Sequence, residues 1–428
     1  MSVGLQRLRQ DADRLKLAAA DKGEDPSVVD RAVELDERRR LLVAEADALK
    51  AERNEASRRI GEAIRAGADP NGSEVAALKV ASAAGAQRID VLDAELATVE
   101  AELEDAMLRI PNPADPDVPV GGADANLTVR TWGEPLPRDW REPHWDLAEG
   151  LGIIDLARGA KITGSGWPVY VGDGATLQRA LIGYFLDTHA REHGMTEVWP
   201  PVLVNADSAR GTGQIPDKED QMYVVERDDL YLVPTAEVPV TNLHRDEILA
   251  GEALPIRYVA YSASFRREAG AAGRDTRGIL RVHQFDKVEM LSFTRPEESS
   301  DELEWLTGCA ENLLQGLGLA YRVLLMATRD LGFVQARKYD LEVWAPGVER
   351  WLEVSSVSNF RDYQARRMAI RYRSEPGAKP ELVHTLNGSG LALARTVAAL
   401  IETFQQPDGS IGIPDVLRPA FGGRDRIG

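Results

Sequence analysis

Cysteine is nearly absent: Cys309 is the one thiol in 428 residues. A lone thiol closes no internal disulfide and anchors no cysteine-rich zinc site, so both of those small-scaffold architectures are excluded. A reducing, cytoplasmic setting is expected. Long hydrophobic runs are missing as well, since none reaches the ~18 apolar residues that cross a bilayer. The opening stretch MSVGLQRLRQDADRLK scatters charge where a secretory signal carries an apolar segment. No membrane partner and no export are therefore expected. Positive charge is also in deficit: 51 Lys and Arg against 69 Asp and Glu leave a net charge of −18. An acidic body disfavours general nucleic-acid binding, which draws on clustered Lys and Arg, so any RNA-facing surface has to be a local basic patch. What remains is the balance of a soluble globular protein, 43% hydrophobic and 28% charged. At roughly 100–200 residues per domain, the length suggests two or three domains.

Proline is missing between Pro26 and Pro70, and a heptad pattern fills the gap. Val28, Leu35, Leu42, Leu49 and Ala56 recur every seven residues, with Ala32, Ala46 and Ile60 on the neighbouring row. The pattern breaks at Gly67-Ala68-Asp69-Pro70-Asn71-Gly72. Ser73 then stands where a helix cap is expected, with Glu74 in the first turn. Ile89, Leu92, Leu96, Val99, Leu103, Ala106 and Ile110 continue at spacings of three and four. Two such helices joined by a short polar turn read as an antiparallel coiled-coil hairpin. About 39 residues at 1.5 Å each give an arm near 58 Å long. Lys50, Arg53, Arg58, Arg59 and Arg65 lie toward one end, and Lys79 and Arg88 lie on the return helix. A dimerisation coil with a solvated charged face explains the pattern equally well.

Pro111, Pro113, Pro116 and Pro119 end the second helix and predict a stiff linker. Beyond it, strand-like runs alternate with glycine turns and a few helices. Tyr231-Leu232-Val233, Tyr321 to Leu325 and Tyr339 to Trp344 read as strands; helices are expected from about 176 to 193 and from about 391 to 405. Strands that do not alternate regularly with helices predict an α+β fold, an antiparallel sheet flanked by helices. The expected division is an N-terminal domain over 1–110, a linker over 111–125 and a larger domain over 126–428.

The densest polar stretch runs FRREAGAAGRDTRGILRVHQFDKVE from Phe265 to Glu289. A solvated hairpin explains a few of these charges, but not charge at both ends and through the loop. Arginine forks suit phosphate oxygens, an aromatic face suits a base, and carboxylates suit an ammonium. Phe285 and Glu289 lie four apart, on one face of a strand.

This stretch resembles motif 2 of the class II aminoacyl-tRNA synthetases, and its wording is similar to the seryl enzymes. Gly194-Met195-Thr196-Glu197-Val198-Trp199-Pro200-Pro201 resembles motif 1, the dimer-interface unit of that class. Asn387-Gly388-Ser389-Gly390-Leu391-Ala392-Leu393-Ala394-Arg395 resembles motif 3. Pro234-Thr235-Ala236-Glu237, Gly211-Thr212-Gly213-Gln214 and Glu353-Val354-Ser355-Ser356 match too, and the heptad hairpin fits the family's tRNA-binding arm. The resemblance spans essentially the whole chain. It implies a bacterial-type seryl-tRNA synthetase: a homodimer that ligates L-serine to tRNA(Ser), and to tRNA(Sec) where present, using ATP and passing through seryl-adenylate.

The same resemblance implies the residue roles. Arg266 is expected on the α-phosphate and Arg395 on the γ-phosphate, as the catalytic pair. Arg267, Glu268, Val282, Phe285, Glu353, Val354, Ser355 and Ser356 complete the ATP site, with Phe285 stacked on adenine. Glu353 and Ser356 are expected to hold Mg2+ with the nucleotide; no zinc is expected. Thr235, Ala236, Glu237, Glu289, Asn387 and Ser389, with Arg266, are expected around serine. His144, His283 and His384 are read as structural. A strand-face ion pair for Glu289, a tight turn for Ser389 and plain strand propensity for Thr235 are the structural alternatives.

Several positions depart from the family pattern. Lys338 stands where threonine is usual before Tyr339-Asp340-Leu341-Glu342. Met326 and Arg329 replace a cysteine and a glycine, and Val357 replaces a cysteine. Asp217-Lys218 replaces Lys-Phe, and Pro419-Ala420-Phe421 is atypical. Lys338 and Arg329 are expected to add charge near the pocket, with consequences for serine affinity and for inhibitors that mimic its adenylate. A duplicated copy serving a specialised pathway or inhibitor resistance therefore stands as one alternative. A tRNA-binding paralogue without catalysis is another, although Arg266, Glu289, Glu353 and Arg395 are all retained. A ligase that charges a carrier protein has no use for the long arm.

Overall fold

The computed structural model describes residues 3–70, 72–269 and 277–428. The loop residues 270–276, and Asn71 in the arm turn, lie outside the described residues. The chain divides into two compact units, Met1–Pro111 and Asn112–Gly428.

In the first unit, helix α1 (Ser27–Arg65) and helix α2 (Ser73–Leu108) pair along their length. The 39 residues of α1 extend about 58 Å at 1.5 Å per residue. Leu35, Leu42 and Ala46 meet Leu92, Val99 and Leu103 in a buried seam. Burying each leucine contributes about 1.5–3 kcal/mol. Arg31–Glu102, Arg38–Glu95, Arg39–Glu100, Lys50–Asp93 and Arg88–Glu45 bridge the helices outside the seam. Such exposed pairs contribute about 0–1 kcal/mol each, so the apolar seam dominates. At the base Val29 is buried and Val28 partly buried in the same cluster, which Leu8 and Leu15 of the short helices Leu5–Gln10 and Ala12–Lys22 join. Arg9 grips buried Asp36 with two bonds of 2.7 Å, which holds that carboxyl below its usual range. Ser73 is not the cap: Gly72 takes that position in an extended conformation and no side chain caps the helix.

The second unit is built on an eight-stranded sheet. Its strands are β1 (Leu127–Trp132), β2 (Thr196–Val198), β3 (Ile256–Phe265), β4 (Gln284–Thr294), β5 (Tyr321–Leu325), β6 (Arg337–Ala345), β7 (Arg350–Asn359) and β8 (His384–Ala392). Their order is β1-β5-β6-β7-β8-β4-β3-β2. Every pairing is antiparallel except that of β2 with β3. Alternation along β4 divides its residues between two faces. Val288 and Met290 enter the core with Leu181 and Phe185 of α3 (Asp173–Asp187), Leu306 and Leu313 of α4 (Ser299–Leu317), and Val397 and Leu400 of α5 (Leu393–Thr403). Phe285, Lys287 and Glu289 point the other way, into an open cavity. The α+β architecture of an arm and an antiparallel-dominated sheet flanked by helices is the one the sequence predicts.

Two boundaries differ from the sequence reading. The helix expected over 176–193 is α-helical over Asp173–Asp187 and widens over Thr188–Glu192 before Gly194 turns left-handed. The proline-rich stretch after Pro111 is bonded into the larger unit rather than spanning free. Asn112 donates to the carbonyls of Val334 (2.9 Å) and Phe360 (2.8 Å), and Arg361 grips Asp115.

Candidate active site

A cavity of about 530 Å³ lies on the sheet face away from α3 and α4, with the first turn of α5 at its edge. Four strands supply its floor because their alternate residues share that face. Phe285, Lys287 and Glu289 come from β4, Ser356 and Ser358 from β7, Asn387 and Ser389 from β8, and Lys338 from β6. Glu289 stands opposite Ser389, and Ser358 opposite Asn387. A register shift between Lys287 and Glu289 sets that alignment. At the crossing of β4, β7 and β8, Gly388 leaves room for Met290 and Val357; an added Cβ would lie 3.1 Å from each.

At one end, buried carboxylates converge. Asn387 Nδ2 donates to Glu237 Oε2 and to Glu289 Oε1, both at 2.9 Å. Gln364 Nε2 donates to Glu237 Oε1 at 2.6 Å, and Thr385 fixes Gln364 from behind at 2.7 Å. Lys287 Nζ forms an ion pair with Glu289 Oε2 at 2.5 Å. Asn387 Oδ1 is an acceptor with no hydrogen-bond donor among the described residues. Burial and the neighbouring Glu289 push the Glu237 carboxyl up to about 7. An open acceptor, buried carboxylates and a hydroxyl at Ser389 suit a small ligand bearing an ammonium group and a hydroxyl.

At the other end stand the arginines. Arg266 projects from the end of β3 with its guanidinium 5.1 Å from the Phe285 ring centre. Arg395, in the first turn of α5, donates to Leu280 O at 3.1 Å and to Glu353 O at 3.0 Å. Its Nη1 is 3.4 Å from Glu353 Oε2. Glu353 is open to the cavity yet ringed by protein. Burial opposes its charge, but Arg395, Lys338 and Arg266 outweigh that and hold its carboxyl below the usual value. Two arginines and an aromatic face suit phosphate oxygens and a base. Glu353 and Ser356 offer hard oxygen donors beside them, and the described residues contain no group of three or more His, Cys, Asp and Glu that could cage a metal. That donor set fits an ion shared with phosphate oxygens, the usual situation of Mg2+.

Of the residues singled out from sequence, Thr235, Glu237, Arg266, Glu268, Val282, Phe285, Glu289, Glu353, Val354, Ser356, Asn387, Ser389 and Arg395 all line this cavity. Three do not. Arg267 turns outward and donates to Asp220 O. Ala236 is buried against Val240 and Leu291. Ser355 faces the other side of β7 and donates to Ser389 O at 2.6 Å. Arg329 is exposed and outside the lining, so the charge expected near the pocket comes from Lys338 and Lys218. His144, His283 and His384 bond to Glu402, Arg266 O and Ser299 respectively. Sequence reading missed Lys287 and Gln364. The odd-numbered alternation Phe285, Lys287, Glu289 carried a signal for the first; nothing local marks the second.

Residues 223–404 match the tRNA synthetase class II core domain (G, H, P, S and T), and residues 4–114 match the seryl-tRNA synthetase N-terminal domain. The chain is 54% identical over its whole length to the serine–tRNA ligase of Thermomicrobium roseum, covering 95% of that protein. It is 50% identical to that of Clostridium tetani, over 99% of this chain and all of that one. In structure it resembles seryl-tRNA synthetase from Pyrococcus horikoshii complexed with ATP, at a TM-score of 0.92 and 37% identity over 99% of both chains. It also resembles cytoplasmic serine–tRNA ligase from Naegleria fowleri in complex with AMP, at 0.88 and 28%, over 99% and 98%.

Proposed function

From the premise that the chain belongs to the seryl-tRNA synthetase family, the class II serine–tRNA ligases, we propose that it activates L-serine as seryl-adenylate and transfers the seryl group to tRNA(Ser). The observation that carries this reading is one cavity with buried carboxylates Glu237 and Glu289 at one end and the arginines Arg266 and Arg395 at the other. In the first step the serine carboxylate attacks the α-phosphorus of ATP and pyrophosphate leaves. In the second, the terminal ribose hydroxyl of the tRNA attacks the seryl carbonyl and AMP leaves.

Neither step needs a covalent enzyme intermediate, so positioning and charge neutralisation supply the rate. Glu237 and Glu289 receive the serine ammonium, with Thr235 at the same end. Ser389 and Asn387 read the hydroxyl, and alanine or glycine leaves them unpaired. Arg266 neutralises the α-phosphate, Arg395 the γ-phosphate, and Phe285 stacks the adenine, with Glu268 and the strand segments at Val282 and Val354 beside it. Arg267, Ala236 and Ser355 act from outside the cavity, by supporting its walls. Glu353 and Ser356 would hold Mg2+, which lowers the charge on the polyphosphate.

The arm over 1–110 carries the tRNA, with 111–125 joining it to the catalytic domain over 126–428. The basic groups near its tip support this, since Arg53 and Arg59 border an exposed groove between α1 and α2. The enzyme works in the cytoplasm as a homodimer through the motif 1 segment, whose Trp199 is 75% exposed; among the described residues no helix is long and apolar enough to cross a membrane. Transfer to tRNA(Sec), where a cell has it, requires the same chemistry at the same terminal ribose. Charging purified tRNA(Ser) with labelled serine and ATP tests the proposal. Failure with tRNA(Ser) despite normal adenylate formation would remove the tRNA half of it.

A further inference from the structure

Lys287 is a buried cation on the floor of the cavity, with 7% of its side chain exposed. It stands between Phe285 and Glu289 on β4, and all three line the cavity. Strand spacing puts its backbone about 7 Å from each of those neighbours. With adenine on Phe285 and the serine ammonium at Glu289, the serine carboxylate and the α-phosphate meet over Lys287. Its partners across the sheet are Ser262 on β3 and Ala392 on β8, both too short to cover the ammonium. Of the other lysines in the lining, Lys338 is separated from β4 by β7 and β8 and pairs with Asp340. Lys218 stands off the sheet, in the segment after Gln214.

Lys287 Nζ pairs with Glu289 Oε2 at 2.5 Å, while Asn387 donates to Glu289 Oε1 at 2.9 Å. Asn387 therefore already orients that carboxylate. A lysine serving Glu289 alone would compete with the substrate's ammonium for the same oxygens. An ammonium has three donors, so one on Glu289 leaves two for a second acceptor. A free amino acid is itself a zwitterion. Its ammonium against Glu289 and its carboxylate against Lys287 set four charges of alternating sign in a ring.

Resting on the seryl-adenylate reading, we propose that Lys287 is a further catalytic residue: with Glu289 it reads the amino-acid zwitterion, and its ammonium stays on the serine carboxylate as that group attacks the α-phosphorus. One carboxylate oxygen bonds to the α-phosphorus, the bond from phosphorus to the bridging oxygen breaks, and the electron pair leaves with pyrophosphate. Lys287 keeps its protons throughout. Its charge offsets the repulsion between an anionic nucleophile and an anionic phosphate, a role suited to a compact point charge.

The test compares binding of L-serine and L-serinamide to the full chain by calorimetry, at a pH that protonates both amines. Serinamide keeps the ammonium and the hydroxyl but has no carboxylate charge. K287M should weaken serine binding about tenfold or more, the size of one lost hydrogen bond to a charged group. Serinamide binding should stay the same or tighten, because the competing ion pair on Glu289 is gone. K287R should recover part of the serine affinity. K287Q, which is polar and uncharged, should behave as K287M does and covers a folding failure of the methionine variant. Single-turnover adenylate formation at saturating serine and ATP should fall about 100-fold in both neutral variants. Equal losses for serine and serinamide, or an unchanged rate at saturation, overturn the Lys287 assignment alone. No serine binding by the unmodified chain overturns the underlying reading and the assignment together.

Discussion

Asn387 Nδ2 lies 2.9 Å from Glu289 Oε1 and uses its second hydrogen on Glu237, so one amide fixes the separation of two buried carboxylates. Replacing Asn387 with alanine leaves each carboxylate short of a donor. A hydrogen bond to a charged group contributes about 1.5–3 kcal/mol. The KM for serine in the activation half-reaction should rise about 10- to 100-fold, while the KM for ATP changes little. An equal rise in both constants would mean that Asn387 supports the cavity as a whole.

The Glu237 carboxyl, pushed from an ordinary 4.5 up to about 7 by burial and by Glu289, gives the site a pH signature. The folded-state value is the higher one. Stability from this group is therefore complete below the ordinary value and is lost as pH rises through about 7. Serine binding runs the opposite way, because its ammonium needs the ionised carboxylate. The Kd for serine should fall as pH rises from 6 to 8, and Glu237→Gln should weaken binding and flatten that dependence; calorimetry across this range checks both.

Arg395 and Glu353 hold each other at 3.4 Å. Arg395→Ala should lower kcat/KM for ATP about 100-fold, the size of losing one positioned cation. Glu353→Gln should instead raise the Mg2+ concentration for half-maximal activity. Titrating Mg2+ at saturating ATP and serine separates the two effects.

Glu402 is a buried fold element outside the cavity. Its carboxylate accepts from His144 N (2.9 Å), Gly347 N (2.9 Å) and Val348 N (3.1 Å), and pairs with His144 Nδ1 at 2.8 Å. Glu402→Ala strands these donors and should cost about 3–5 kcal/mol of stability, measured by denaturant unfolding. A change under about 1 kcal/mol would show that water replaces the carboxylate.

Removing the distal arm, residues 45 to 93, and closing α1 onto α2 with a short turn should abolish tRNA charging. Serine-dependent pyrophosphate exchange should persist, because the cavity is lined only by residues of the larger unit. Filter binding of tRNA(Ser) checks the first half directly.

The arm and the sheet were legible because each depends on a period: seven along α1 and α2, two along β4. Period two also separates Ser356, which lines the cavity, from Ser355, which cannot, and it places Lys287 beside Phe285 and Glu289. What could not be read depends on distance in the chain. Gln364 reaches Glu237 across 127 positions, and Asn387 across 150, brought together by strand order rather than by any local pattern. The register shift after Lys287 is a property of a pair of strands and has no signature in either alone. The helix cap failed for a local reason: Gly72 adopts the extended geometry that Ser73 was expected to supply.

Amino-acid-dependent exchange of pyrophosphate into ATP, with each of the twenty amino acids and no tRNA, tests the central claim most directly. Exchange with serine, and only trace exchange with alanine, glycine and threonine, is the expected result. Exchange with no amino acid would contradict adenylate formation and leave tRNA binding without catalysis as the better description.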